Sequence, residues 1–174
     1  ALSSDINIAR FYWRIFEEIQ ASPVPPRSYV LGEILAGMIR GMAAAGVVVG
    51  LGLVFGLGGH LGGLFWLAVA LNAFFFANVA VAVAMLVRSH GDQALLSNCV
   101  ITPMAFLGGT FFPVERLPDW ARLAVDLIPL THASRTIRQA YLGQAVDVWR
   151  LLLLAIMGVL AFGLAEFLTR RAVD

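Results

Sequence analysis

The chain has 174 residues, of which 60% are hydrophobic and 13% are charged, about half the ~25% that is usual in soluble proteins. A domain of this length cannot bury that much apolar surface, so the composition excludes a soluble globular protein and a disordered tail. The net charge of +1 offers no attraction for nucleic acid, and the one cysteine, Cys99, excludes an internal disulfide.

The first 33 residues are polar and aromatic by turns and precede the first apolar stretch. Phe11, Ile15 and Ile19 recur at helical spacing, and the charged residues lie largely off that stripe. The proline-rich stretch 22–26 then breaks the helix. The pattern predicts either an amphipathic helix at a membrane surface or a solvated surface helix with ordinary salt bridges.

Four apolar stretches follow, each close to the ~20 residues that a membrane-spanning helix needs. The predicted spans are residues 34–57, 61–87, 93–112 and 148–169. The last has the shortest uncharged stretch, so Arg150 and Glu166 are expected to extend outward from its ends. The expected fold is an all-α polytopic membrane protein with four transmembrane helices.

An even number of spans places both ends of the chain on one side of the membrane. Apart from Arg40, which lies within the first predicted span, the arginines are divided almost equally, six against five, between the two sides. Because Arg170 and Arg171 follow the last span directly and Arg88 follows the second, the positive-inside rule favours cytoplasmic ends and a cytoplasmic tail over residues 170–174.

Glycines in the first span are spaced as Gly-x-x-x-Gly. The pairs are Gly37 with Gly41, Gly46 with Gly50, and Gly52 with Gly56. Such spacing allows close helix packing in lipid, although apolar glycine-rich helices also produce it by chance.

Residues 113–147 predict two helices that are too short to cross the bilayer. Pro118 can start the first, Pro129 ends it, Thr131 can cap the second and Gly143 ends that one. Each has ~10–12 residues and is ~15–18 Å long, about half of a ~30 Å hydrocarbon core. The segment is therefore expected to be interfacial or re-entrant.

Polar side chains are few within the predicted spans. Asn98, Thr102 and Phe106 share one face of the third span, which predicts either hydrogen bonds between helices or the lining of a translocation pathway. The predicted span centres contain no acidic residue, which disfavours a proton-coupled carrier.

Signatures of catalysis and metal binding are missing from the sequence. The three histidines lie in separate connections without metal-ligand spacing, so no metal site is predicted. All twelve basic residues are arginine, and the absence of lysine excludes a Walker A phosphate loop. The chain is not expected to be an enzyme, and any ATP bound through a phosphate loop must be bound by another chain.

Two stretches resemble one known family. Leu117-Pro118, then Pro129-Leu130-Thr131-His132, then Arg138 resemble the signature of ABC-2 type permeases, and residues 106–113 before it are also typical of that family. Residues 14–24, followed by Gly32-Glu33, independently resemble its cytoplasmic segment between the second and third spans. These permeases are membrane subunits of ABC exporters, including exporters of polysaccharides, lipo-oligosaccharides and drugs.

The resemblance implies cytoplasmic ends and a cytoplasmic coupling segment over residues 1–33. Within it, the helix Arg10–Gln20 is expected to be a coupling helix that rests in a groove of a separate ATPase subunit. Arg14, Glu17 and Glu18 are its expected charged contacts, and Arg88 to Asp92 form a second, shorter contact. ATP and magnesium are expected in that partner, with no cofactor in this chain. Family permeases work as pairs, so a second permease copy, most simply an identical one, is also expected.

The resemblance also implies what the remaining segments do. Residues 113–147 are expected to form a re-entrant extracytoplasmic hairpin that narrows the exit, and Phe111 and Phe112 join the pathway candidates. Because the family has six spans, these four are expected to be spans three to six of a chain that is incomplete at its N-terminus. The expected location is the bacterial inner membrane, in contact with its lipid. The alternatives are a secondary transporter or channel fragment and a membrane-embedded enzyme.

Overall fold

The computed structural model describes residue 6 and residues 26–87, 92, 99, 102–106, 125–126 and 128–173. The described residues form the helices α1 (Pro26–Val54), α2 (Gly63–Leu86), α3 (Thr102–Ala105), α4 (Pro129–Tyr141) and α5 (Val148–Val173). Within the described ranges, three of them, α1, α2 and α5, are long and apolar enough to cross a membrane. The described part is thus helical and of membrane type, as predicted, and most of the predicted span 93–112 lies outside it.

Helix α1 begins at Pro26, earlier than the predicted span start at Ile34. Proline suits the first turn of a helix because the N–H that it lacks would have no partner there. The helix ends at Val54, and the turn that closes it contains Gly56, whose φ of 74° is a left-handed value that glycine adopts readily. The Leu57 N–H donates to the Gly52 carbonyl at 2.8 Å and closes a Schellman motif.

Helix α2 is the centre of the bundle and packs against α5, α1 and α4. One buried cluster joins the start of α1 (Val30), the end of α2 (Met85) and the end of α5 (Ala165), and it also contains Ile6. A second cluster joins the start of α2 (Phe65) to the later part of α1 and the end of α4. A third joins the middle of α2 to the start of α4 and the first half of α5.

These clusters fix the relative directions of the helices. The start of α1 lies at the same end of the bundle as the ends of α2 and α5. The end of α1, the start of α2 and the end of α4 lie at the other end. We call these the Arg27 end and the Tyr141 end, after a residue at each.

Close packing of α1 on α2 occurs at Gly41. A Cβ atom added there would lie 3.1 Å from the Cβ atom of Ala73, tighter than ordinary contact. At Gly46 and Gly50 an added Cβ would meet nothing within 4 Å. Gly56 lies in the turn that closes α1. A glycine-mediated approach to a neighbouring helix therefore occurs within the chain at Gly41, and Gly46 and Gly50 show none.

Candidate functional site

Helix α4 carries the described part of the family signature. Pro129 lies in its first turn, after the extended residue Ile128. Thr131 was predicted to cap this helix, and that prediction is wrong. Because the helix already begins at Pro129, Thr131 lies inside the first turn, and its buried hydroxyl donates to the Val125 carbonyl at 2.7 Å. The threonine ties α4 to the segment that precedes it.

His132 connects the turn before α4 to the start of α5. Its Nε2 atom lies 2.8 Å from the Asp126 carbonyl oxygen, and its Nδ1 atom lies 3.3 Å from an Arg150 guanidinium nitrogen. Arginine can only donate, so Nδ1 accepts and Nε2 carries the proton that is donated to Asp126. The signature histidine thus holds together segments 18 residues apart.

Charged side chains extend this network. Arg135 donates to the Asp126 carboxylate at 3.0 Å, and Arg150 donates to the Asp147 carboxylate at 3.1 Å. Asp147 also accepts from the Trp149 N–H at 3.2 Å and so caps the start of α5. The pairs fix the start of α5 against the turn that precedes α4.

Helix α4 has one polar and one apolar face, and a cavity borders each. The polar face contributes to a cavity of about 650 Å³, which we call the arginine basin. The described residues that line the basin are Asp126, Arg135, Arg138, Gln139, Leu142, Gln144 and Arg150. Arg138, the last residue of the signature, therefore borders a polar cavity that Arg135 and Arg150 also line.

The apolar face of α4 borders a groove that also runs between α1 and α2. It comprises two adjoining cavities of about 510 and 560 Å³ that share Val48, Val49, Phe65, Asn72 and Ile137 in their walls. We call the two together the apolar groove. Arg138 lines this groove as well as the arginine basin. The Asn72 Oδ1 atom in its wall is buried and has no hydrogen-bond partner within the described part of the chain.

The end of α4 is held by the loop between α1 and α2. The Tyr141 hydroxyl donates to the Leu57 carbonyl, and the Tyr141 carbonyl accepts from the His60 N–H at 2.7 Å. A Cβ atom added at Gly59 would lie 2.5 Å from the Tyr141 ring. Gly143, with φ 66°, ends α4 as predicted, and the Gln144 N–H donates to the Gln139 carbonyl at 2.9 Å.

At the opposite end of the bundle, Glu166 joins α5 to α1. Its carboxylate accepts from Arg27, at the start of α1, and from Arg170 at 2.6 Å. Sequence reasoning expected Glu166 to extend toward solvent and missed its partner in α1. The spacing from Glu166 to Arg170 signals an ion pair on one helix face, but nothing in the sequence points to Arg27.

The predicted coupling and pathway residues fall only partly within the described residues. Asp92, Thr102 and Phe106 are described and exposed. The coupling, pathway and signature residues that lie outside the described residues are Arg14, Glu17, Glu18, Arg88, Asn98, Phe111, Phe112, Leu117 and Pro118. Of the signature, Pro129, Leu130, His132 and Arg138 lie on α4, and the roles predicted for coupling and pathway residues stay predictions.

Membrane-length helices packed around α2, with a short amphipathic helix held between them at one end, define a multi-pass membrane protein. Residues 13–142 match the family described as ABC-2 type transporter. The chain belongs to that family, as the resemblance predicted.

Curated relatives agree with this assignment. Nodulation protein J of Rhizobium leguminosarum bv. trifolii is 33% identical over 150 residues, which cover 81% of this chain and 57% of the relative. The inner membrane transport permease YadH of Escherichia coli K12 is 26% identical over 133 residues, covering 76% of this chain and 52% of YadH. The chain spans about half the length of the curated relatives it matches. No solved structure matches it.

Proposed function

We propose that the chain is the membrane-spanning permease subunit of an ATP-driven exporter in the bacterial cytoplasmic membrane. It works as a dimer with separate ATPase subunits, which bind the ATP and magnesium. The observation that carries this proposal is the extent of the family match, residues 13–142. The match includes residues 13–20 of the predicted coupling helix, with Arg14, Glu17 and Glu18, and the signature on α4. The absence of lysine fits an arrangement in which a partner hydrolyses ATP.

The packing of α4 supports a re-entrant hairpin. Ala140 packs with Phe65, and Ala133 packs with Phe75, so α4 runs antiparallel to α2. Phe65 and Phe75 are ten residues apart, which is about 15 Å along a helix and half of a ~30 Å hydrocarbon core. The start of α4 therefore lies well inside the level of the long helices, as the outgoing arm of a re-entrant hairpin requires.

The positions of the described residues support a fourth crossing. Met85, near the end of α2, packs at the Arg27 end, whereas Asp126 bonds to the start of α4, the helix whose last turn lies at the Tyr141 end. A crossing between these two residues would connect them, and we propose that the predicted span 93–112 is this crossing. We assign the four spans to the last four of a six-span permease, with the Arg27 end facing the cytoplasm.

Glu166 suggests how movement of the coupling helix reaches the spans. Arg27 directly follows the proline-rich stretch 22–26, which links the predicted coupling helix to α1. The Glu166 carboxylate accepts from Arg27 in α1 and from Arg170 in α5. A displacement of the segment therefore acts on the first and last helices together. ATP binding to the partner shifts the balance of pathway states only if those states bind the ATPase with different affinity.

The test reverses the charges of the coupling helix, with Glu17→Arg and Glu18→Arg in the full-length permease. We expect the ATPase subunit no longer to copurify, or its activity no longer to be stimulated, with transport lost. The matched control is Glu115→Arg with Asp119→Arg, which makes the same charge change in the predicted extracytoplasmic segment and should leave copurification intact.

Two outcomes would contradict the proposal. One is unchanged ATPase stimulation and transport in the Glu17 and Glu18 variant at normal expression. The other is transport by the permease alone, driven by an ion gradient without any ATPase, which would identify a secondary transporter.

A further inference from the structure

We propose that the chain binds an anionic phospholipid at the Arg27 end of the bundle, on the exposed face of α5. The phosphate lies at the Arg171 guanidinium group, and an acyl chain lies along the apolar side chains that precede it on the same face. This site is separate from the predicted coupling and pathway residues, and it requires neither the ATPase nor a particular orientation of the chain in the membrane.

One face of the last part of α5 is apolar and ends in a cation. We call it the α5 stripe, and its residues, spaced three or four apart, are Leu160, Leu164, Phe167 and Arg171. The three apolar residues are each more than half exposed, and Arg171 is exposed as well. Because α5 is long and apolar enough to cross a membrane, this face offers an acyl chain a continuous contact that ends at a positive charge.

The packing of α5 places the end of the stripe at the level of the lipid headgroups. Leu154 packs with Phe75, which lies at the middle of α2 and hence near the middle of the membrane. Phe167 follows Leu154 by 13 residues, or about 20 Å of helix, whereas the hydrocarbon core extends about 15 Å from its centre and the headgroups about 20–22 Å. The Arg171 guanidinium carbon lies 4.8 Å from the centre of the Phe167 ring, so this side chain is turned back toward the bilayer and reaches the headgroup level.

The charged groups at this level leave a positive surplus. Glu166 accepts from both Arg27 and Arg170, so one carboxylate serves two guanidinium groups. Arg171 lies over an aromatic ring and has no acidic partner within the described part of the chain. These four residues sum to +2, and Asp174, which lies outside the described residues, would lower the sum to +1. An anionic headgroup is therefore favoured over a zwitterionic one.

Phosphate is the part of the headgroup that Arg171 is suited to bind. A guanidinium group binds phosphate oxygens through paired N–H donors. The contact with the Phe167 ring holds the guanidinium group on the stripe by attraction to the ring face rather than by an ion pair. A phosphate at Arg171 leaves the acyl chain to follow Phe167, Leu164 and Leu160 toward the middle of the membrane.

Binding is tested on the full-length permease in detergent by native mass spectrometry. The probes are dioleoyl phosphatidylglycerol and dioleoyl phosphatidylcholine, which share their acyl chains and differ in headgroup charge. We expect preferential retention of phosphatidylglycerol, and a roughly fivefold loss of its affinity in Arg171→Gln. The matched control Arg171→Lys keeps the positive charge at the same position and should keep the preference for phosphatidylglycerol.

A pair of phenylalanine substitutions tests whether the ring positions Arg171. Phe167→Leu keeps an apolar residue on the stripe but removes the ring beneath the guanidinium group, so we expect a roughly two- to fivefold loss of phosphatidylglycerol affinity. Phe55→Leu makes the same change at an exposed position at the Tyr141 end and should leave the affinity unchanged.

Three results would overturn the proposal. The first is equal retention of the two lipids, and the second is an Arg171→Gln protein that binds phosphatidylglycerol as tightly as the unaltered permease does. The third is competition by glycerol phosphate as strong as that by the intact lipid, since the occupant would then be a soluble anion. ATPase stimulation measured on the same variants separates this site from the proposed function, which is tested by the Glu17 and Glu18 variant instead.

Discussion

Gly41 lets α1 approach α2 more closely than a residue with a side chain would allow. We predict that Gly41→Val lowers the free energy of unfolding by about 1–3 kcal/mol, because its Cβ would lie 3.1 Å from that of Ala73 and force the helices apart. The measurement is the unfolding midpoint of the purified protein in detergent.

Gly46→Val is the matched control, since it makes the same change on the same helix where nothing lies within 4 Å of an added Cβ. Equal destabilisation by the two variants would show that Gly41 acts through helix propensity rather than through packing. Both variants replace a helical glycine by valine, so the change in helix propensity is the same in each. The difference between their unfolding midpoints therefore reports the contact with Ala73.

The sequence could predict that glycine brings two helices together but not which glycine does so. Three pairs have the same spacing, and spacing reports only that residues share a face of their own helix. The position of α2 selects Gly41, and the Schellman turn gives Gly56 a different task. Side-chain partners that are far apart in the chain, such as Arg27 and Glu166, also cannot be predicted from the sequence, because spacing gives no information about a different helix.

Among the elements, α4 is held at its last turn by Tyr141, which contacts the loop between α1 and α2. We predict that Gly59→Ala lowers the unfolding midpoint and weakens this contact, because its methyl group would lie 2.5 Å from the Tyr141 ring. The measurement is the midpoint together with hydrogen exchange at the His60 N–H, which donates to the Tyr141 carbonyl.

Gly58→Ala provides the control, since a Cβ at Gly58 would meet nothing within 4 Å. A Gly59→Ala protein that matches Gly58→Ala in both measurements would contradict the assignment of Tyr141 as the anchor of α4.

The ends of α4 were more predictable than its contacts. Proline fits the first turn of a helix, and glycine fits the left-handed residue that closes one, so Pro129 and Gly143 mark the bounds from local chemistry alone. Thr131 was misassigned because a threonine hydroxyl can bond either to the N–H groups that follow it or to a carbonyl before it. In the structure the Thr131 hydroxyl bonds to the Val125 carbonyl, which precedes it.

For the whole molecule, the arginine count cannot decide the orientation, since six residues against five is nearly balanced. Several of these arginines are engaged inside the protein, Arg135 with Asp126 and Arg150 with Asp147. The positions of such residues are determined by their ion-pair partners as well as by the side of the membrane. The positive-inside rule is therefore a weaker predictor of orientation for this chain. The helix directions, in contrast, place the start of α1 and the end of α5 together whichever side they face.

Cysteine labelling in intact cells measures the orientation directly. Cys99→Ser removes the one native cysteine, and Gln144→Cys or Arg171→Cys then places a thiol at an exposed position at each end of the bundle. We predict that a membrane-impermeant maleimide labels the thiol at position 144 in intact cells. It should reach position 171 only after permeabilisation if, as we propose, the Arg27 end faces the cytoplasm. The reverse labelling pattern would contradict this orientation. It would place the predicted coupling helix on the side of the membrane where no ATP is available.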